Sequence, residues 1–144
     1  MKVGFIGLGI MGAPMAGHLQ TGGHALFLHD LAPELPPALL EGGAIACASN
    51  RAVAEQADVV ILMVPDTPDV EAALFGPDGA AEGLAAGKQV IDMSSISPTA
   101  TTDFAARINA LGCLYLDAPV SGGVVGAENA SLTIMAGGPQ EAFD

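Results

Sequence analysis

The chain has 144 residues, 51% of them hydrophobic and 14% charged, with 16 acidic against four basic side chains and a formal net charge of −12. That length holds one domain whose core needs neither disulfides nor metals, and the apolar content excludes intrinsic disorder. Four Lys/Arg cannot form the basic clusters that nucleic acids and anionic membranes demand, so neither is an expected partner.

The first apolar run, Lys2–Ile6, reads as a short buried strand. Ile10–Gln20 has a helical period, with Met11, Met15 and Leu19 on one face and Pro14 in the first turn, where a missing N–H does little harm. Two glycines within Thr21–His24 break that helix. Ala25–His29 reads as a second strand, Glu34–Glu41 as a short proline-flanked helix and Ile45–Cys47 as a third strand. Ser49 is placed to cap a helix running through Gln56. Asp58–Val64 is an unbroken apolar run ended by Pro65, the pattern of a strand buried on both faces of a parallel sheet.

Lys88–Met93 is a further strand, and Thr99–Leu111 a longer helix with Phe104, Ile108 and Leu111 inward. Leu114–Leu116 and Ser131–Ala136 read as strands, and Pro139 is placed to open another helix. Strands alternating with helices predict an α/β fold, a doubly wound and mostly parallel sheet with helices on both faces. Cys47 and Cys113 stand apart and belong to no cysteine motif, so both are expected as reduced core residues. The three histidines lack metal-ligand spacing, and no metal site is expected. No apolar run approaches the ~18–20 residues of a membrane span, and the expected compartment is the cytoplasm.

Gly7-Leu8-Gly9-Ile10-Met11-Gly12 fits G-x-G-x-x-G. In a glycine-rich chain that pattern says little alone; its context discriminates, because it follows a strand and opens an amphipathic helix. Asp30 closes the second strand further on. Gly7 permits the tight turn, Gly9 lets a pyrophosphate approach the backbone, and Gly12 lets helix and sheet pack closely. The helix N-terminus offers free N–H groups to the phosphates, and Asp30 can accept from ribose hydroxyls. A carboxylate there repels a 2′-phosphate, and Leu31-Ala32-Pro33 supplies no cation to offset it, so the expected cofactor is NAD rather than NADP.

Three later loops fall at strand ends, where open α/β sheets bind ligands. Val64-Pro65-Asp66-Thr67 is a turn placed to lie over a ribose. Ser94-Ser95 puts two hydroxyls toward the nicotinamide end, and Ser121-Gly122-Gly123 is a turn that can present N–H groups and a hydroxyl to a carboxylate. Capping and plain turns are the competing readings of the last two, with Asp92 and Asp117 as braces.

Gly4-Phe5-Ile6-Gly7-Leu8-Gly9-Ile10-Met11-Gly12-Ala13-Pro14-Met15 resembles the N-terminal signature of the β-hydroxyacid dehydrogenases, which include 3-hydroxyisobutyrate dehydrogenase and, more distantly, 6-phosphogluconate dehydrogenase. The resemblance continues through Met63-Val64-Pro65, residues 91–96, residues 117–123 and residues 132–138. It implies a Rossmann-type NAD(P)-binding domain over residues 1–144 and hydride transfer between a nicotinamide and a small hydroxy acid or semialdehyde. It also implies cofactor contacts at Gly7, Leu8, Gly9, Ile10, Met11, Gly12, Val64, Pro65 and Ser95, and a carboxylate turn at Ser121, Gly122 and Gly123. The Asp92-Met93-Ser94-Ser95-Ile96 form of the fourth motif leans toward the tartronate semialdehyde reductase branch. A 3-hydroxyisobutyrate dehydrogenase and a non-catalytic NAD-binding module are the alternatives. By the same resemblance, the catalytic lysine and an all-helical, dimer-forming domain lie beyond residue 144. No catalytic residue is then expected within the chain, and a homo-oligomer is expected for the full-length enzyme. Asp69 stands where some members have Asn near the cofactor, and Ala130 where the family usually has Gly.

Overall fold

The computed structural model describes all residues except Pro33, Met135 and residues 139–144, so the helix expected at Pro139 lies outside the described residues. Six strands form one parallel sheet in the order β3-β2-β1-β4-β5-β6. They are β1 (Lys2–Ile6), β2 (Ala25–His29), β3 (Ile45–Ala46), β4 (Val59–Leu62), β5 (Gln89–Asp92) and β6 (Leu114–Asp117). The helices are α1 (Gly12–Thr21), α2 (Pro37–Glu41), α3 (Asn50–Gln56), α4 (Thr67–Phe75), α5 (Pro98–Asn109) and α6 (Gly123–Glu128).

Alternation along each strand divides the core between the two faces of the sheet. Phe27, Val60, Leu62, Val90 and Tyr115 point to one side, where they meet Val53 of α3, Val70 and Leu74 of α4, and Phe104 and Ile108 of α5. Val3, Phe5, Leu26, Leu28 and Ile61 point to the other, against Met15 and Ala16 of α1, Leu39 of α2 and Ala127 of α6. The sheet is therefore doubly wound, and its central strands are apolar on both faces because both are covered.

Several readings change. Leu111 is not inward: α5 stops at Asn109, and Leu111 is left in water at 42% exposure in the turn that follows. Ser131–Ala136 does not extend the sheet. Among its described residues the strand is Thr133–Ile134 (β8), paired antiparallel with β7 (Val120–Ser121) in a separate two-stranded ribbon. The first helix begins at Gly12 instead of Ile10, because Gly9 to Met11 are used in the turn out of β1. Cys113 is buried and Cys47 half-buried, and both are free.

Ala130 follows α6 with φ of +55°, a left-handed conformation that a Cβ disfavours. Ala130→Gly should therefore raise the unfolding free energy by about 0.5–1 kcal/mol in urea titrations, less than the full steric term because glycine also loosens the unfolded chain. An unchanged midpoint would show that the turn carries no such strain.

Candidate functional site

The carboxyl ends of β1, β2 and β4 open into a crevice of about 830 Å³, a size suited to a small-molecule or cofactor site. One wall is the loop between β1 and α1, with Gly7, Gly9, Ile10, Met11 and Gly12. His29, Asp30 and Leu31 close one end, beside Ser49 and Asn50 at the start of α3. Met63, Val64 and Pro65, then Asp69, Ala72 and Ala73 of α4, form the facing wall, with Ser95 beyond them.

The loop depends on the absence of side chains. Gly7 has φ of +96°, and a Cβ there would fall on the Met63 carbonyl. A Cβ on Gly12 would strike the carbonyl oxygen of Gly7, so α1 can start close against β1 only with glycine at that position. Gly9 is different: a Cβ there would meet nothing within 4 Å. Its missing side chain serves the space outside the protein, not the fold.

Leu8 departs from the rest of its motif. Its side chain is buried in the core, and its N–H lies 3.3 Å from Asp30 Oδ2. Asp30 also accepts the Leu31 N–H at 2.8 Å through its other oxygen. The carboxylate is thus clamped at the crevice end, each oxygen keeping a further lone pair for an outside donor. His29 Nδ1 pairs with Asn50 Oδ1 at 2.7 Å and ties the end of β2 to α3. At the mouth, Ile10 and Leu31 are 74% and 89% exposed, apolar lips on a polar-ended slot.

Helix capping sorts the helix starts. Ser49 accepts the Ala52 N–H, Asp66 the Thr67 N–H and Ser97 the Ala100 N–H, closing α3, α4 and α5. The N-termini of α1, α2 and α6 have no side-chain cap, and none has an acid in its first turn. At α1 the Ala13 N–H donates to the Gly9 carbonyl at 3.0 Å and Pro14 has no N–H, so the Gly12 N–H is the first-turn donor left at the crevice, at the positive end of the helix.

Ser94 and Ser95 separate. Ser95 is exposed and lines the crevice, whereas Ser94 is fully buried and accepts the Val64 N–H at 2.9 Å. Asp92 is a brace: fully buried, it accepts from the Ser94 N–H at 3.0 Å and the Tyr115 hydroxyl at 2.8 Å. Burial pushes the Asp92 carboxyl above its ordinary range, although its hydrogen bonds oppose this. Burial and then the Asp92 charge push Asp117 up as well. Ser121, Gly122 and Gly123 are exposed at the end of β7 and the start of α6, outside the crevice walls. Gly122 and Gly123 have φ of +133° and +61°, so the turn requires glycine.

Sequence reading missed the α4 wall, treating 64–67 as a turn. The signal was present: Asp66 and Asp69 form a reciprocal capping box around Pro68, a helix start written in the sequence. The helix α6 after the Ser-Gly-Gly turn was missed too, for a short glycine-rich segment carries little helical period. Of the two lysines, Lys88 is spent on the end of α3, its Nζ donating to the carbonyls of Ala54 and Glu55. Lys2 sits at the start of β1, at the opposite end of that strand from the crevice.

Strand order 3-2-1-4-5-6, with a glycine turn and an acid at the carboxyl ends of the central strands, defines a Rossmann-class NAD(P)-binding domain. The family model of the NAD binding domain of 6-phosphogluconate dehydrogenase matches residues 2–144, and the chain belongs to that family, within the β-hydroxyacid dehydrogenase group. It is 49% identical to 2-hydroxy-3-oxopropionate reductase of Escherichia coli (strain K12) over 144 residues, covering 100% of this chain and 49% of that protein. A crystal structure of 3-hydroxyisobutyrate dehydrogenase from Salmonella typhimurium superposes with a TM-score of 0.91 at 38% identity, over 99% of this chain and 50% of the other. A structure of Psf3 in complex with NADP+ and 2-OPP gives 0.91 at 31%, over 98% and 50%. The chain thus spans about half the length of the relatives it matches. Among the described residues no helix is long and apolar enough to cross a membrane.

The buried carboxyl has a measurable consequence. Between its ordinary value of 3.8 and its raised value, Asp92 holds its proton more firmly in the folded chain than in the unfolded one. Its contribution to stability therefore falls as pH rises through that window. In urea unfolding from about pH 4 to about pH 7, Asp92→Asn should decline less steeply than the parent chain. Parallel curves would mean that the buried charge costs nothing.

Proposed function

We propose that the chain is the cofactor-binding part of an oxidoreductase that moves hydride between NAD(H) and a small 3-hydroxy acid or its semialdehyde. The carrying observation is the crevice itself, with the Gly12 N–H at the start of α1 and Gly9 on one wall, a clamped carboxylate at one end and Ser95 toward the other. A dinucleotide matches that order of groups: diphosphate at the helix start, ribose hydroxyls at Asp30, nicotinamide toward Ser95. A bound nicotinamide supplies or accepts the hydride.

The residues' own tasks follow from their chemistry. The Gly12 N–H and the positive end of α1 offset phosphate charge that the acidic surface cannot. Asp30, both oxygens already oriented by backbone donors, accepts from two ribose hydroxyls and repels a phosphate in their place, which favours NAD over NADP. Val64 and Pro65 form an apolar wall that keeps water from the ring. Ser121, Gly122 and Gly123 offer a hydroxyl and backbone N–H groups at the uncapped start of α6, a fit for a carboxylate on the substrate. Neither lysine is placed for proton transfer at the crevice, so the 144-residue chain is expected to bind cofactor without sustained turnover. The relative at 49% identity makes 2-hydroxy-3-oxopropionate the first substrate to test, ahead of methylmalonate semialdehyde. The full-length enzyme is then expected as a homo-oligomer.

Gly9→Ala separates ligand from fold. With nothing within 4 Å of the added methyl, stability should stay within about 0.5 kcal/mol. NADH affinity should fall at least about tenfold as the methyl occupies the diphosphate's approach. Fluorescence titration with NADH and NADPH reads both this and the cofactor preference. Unaltered NADH binding by Gly9→Ala would remove the diphosphate from this wall, and tighter NADPH binding would overturn the role given to Asp30.

A further inference from the structure

The crevice wall opposite the glycine loop is held from beneath. The β4/β5 ladder ends at the pair Leu62 and Asp92, and the Met93 N–H still reaches the Leu62 carbonyl. Beyond that point Pro65 has no N–H with which to continue pairing. The Val64 N–H instead donates to Ser94 Oγ at 2.9 Å, so a side chain takes over where the backbone ladder stops. Ser94 is fixed in turn: its N–H donates to Asp92 Oδ1 at 3.0 Å, and its side chain hydrogen-bonds the same carboxyl group. The Tyr115 hydroxyl holds Asp92 Oδ2 at 2.8 Å from the neighbouring strand. Asp92 and Ser94 have no exposed surface.

A buried carboxyl is a poor device for stability alone, since apolar groups of the same volume usually serve as well or better. What an acceptor-rich group does provide is geometry: it orients donors that converge on it. Here the chain of bonds runs from Asp92 to Ser94 to Val64, and Val64 and Pro65 are crevice wall.

We propose that Asp92 is a positioning residue that, acting through Ser94, fixes the Val64 N–H and so sets the Val64–Pro65 wall against which a dinucleotide lies. This rests on the dinucleotide reading of the crevice, but the link to Val64 can be measured without any ligand.

The test uses the 144-residue chain with Ser94→Ala and Asp92→Asn, and Leu39→Val as a core truncation on α2, packed on the face of the sheet away from Tyr115. Two quantities are read: amide hydrogen exchange at Val64 relative to Val60, and the NADH Kd by fluorescence. Ser94→Ala and Asp92→Asn should each speed Val64 exchange without affecting Val60 and raise the Kd about tenfold, the scale of one lost buried hydrogen bond. Leu39→Val should leave the Kd within about twofold, its effect being confined to global stability. The proposal is overturned if Val64 exchange is unchanged in both site variants. It is equally overturned if the Kd is unmoved in both, or rises as much in Leu39→Val. Failure of the parent chain to bind NADH would refute the dinucleotide reading instead, leaving the Val64 exchange comparison to decide the positioning role.

Discussion

Gly12 lies directly against the carbonyl oxygen of Gly7, and this contact is what the rest of the site depends on. It permits a strand buried on both faces to turn within a few residues into a helix that packs back on the same sheet. Any side chain at Gly12 pushes α1 off the sheet, and with it the Gly12 N–H at the crevice. The neighbouring constraints are consequences. Leu8 anchors the turn by burying its side chain, its N–H reaches Asp30, and that bond joins the ends of β1 and β2 across one edge of the slot.

The electrostatics of the crevice run against the bulk charge. With 16 acidic residues against four basic ones, long-range attraction does not bring an anion to this protein. Recognition of a phosphate must come from short-range, oriented backbone donors, which act at contact and are little affected by distant charge. The capping pattern fits that division. Helices α3, α4 and α5 spend Ser49, Asp66 and Ser97 on their own amides, while α1 at the glycine loop and α6 at the Ser-Gly-Gly turn, like α2, have no side-chain cap.

The wall facing the glycine loop is braced differently, by buried groups at the strand ends behind it. Asp92 and Asp117 are register partners on β5 and β6, and each carboxyl is held above its ordinary range, chiefly by burial. One of the pair carries the Ser94 and Tyr115 bonds, and the other sits where β6 leaves the sheet for the β7–β8 ribbon. Two adjacent serines therefore have unlike tasks. Ser94 is structural and Ser95 lines the crevice, a difference set by which way each side chain leaves the strand end.

The strands β1 and β2 were legible to the residue, because a short apolar run between glycines has few other uses, and the cap at Ser49 was legible because its chemistry is local. The glycine loop and Asp30 were likewise within reach of sequence reading, since the spacing of a turn and the acid at a strand end are properties of one segment. What the sequence by itself determined was this local chemistry and the alternation that makes a doubly wound sheet. Only the tertiary structure decided which residues share a wall. It brought Asp69, Ala72 and Ala73 opposite Gly9, turned Leu8 inward, separated Ser94 from Ser95, and moved β8 out of the main sheet. The physical reason is that these outcomes depend on contacts between segments far apart in the chain, such as Ser94 with Val64, and no periodicity within one segment records them.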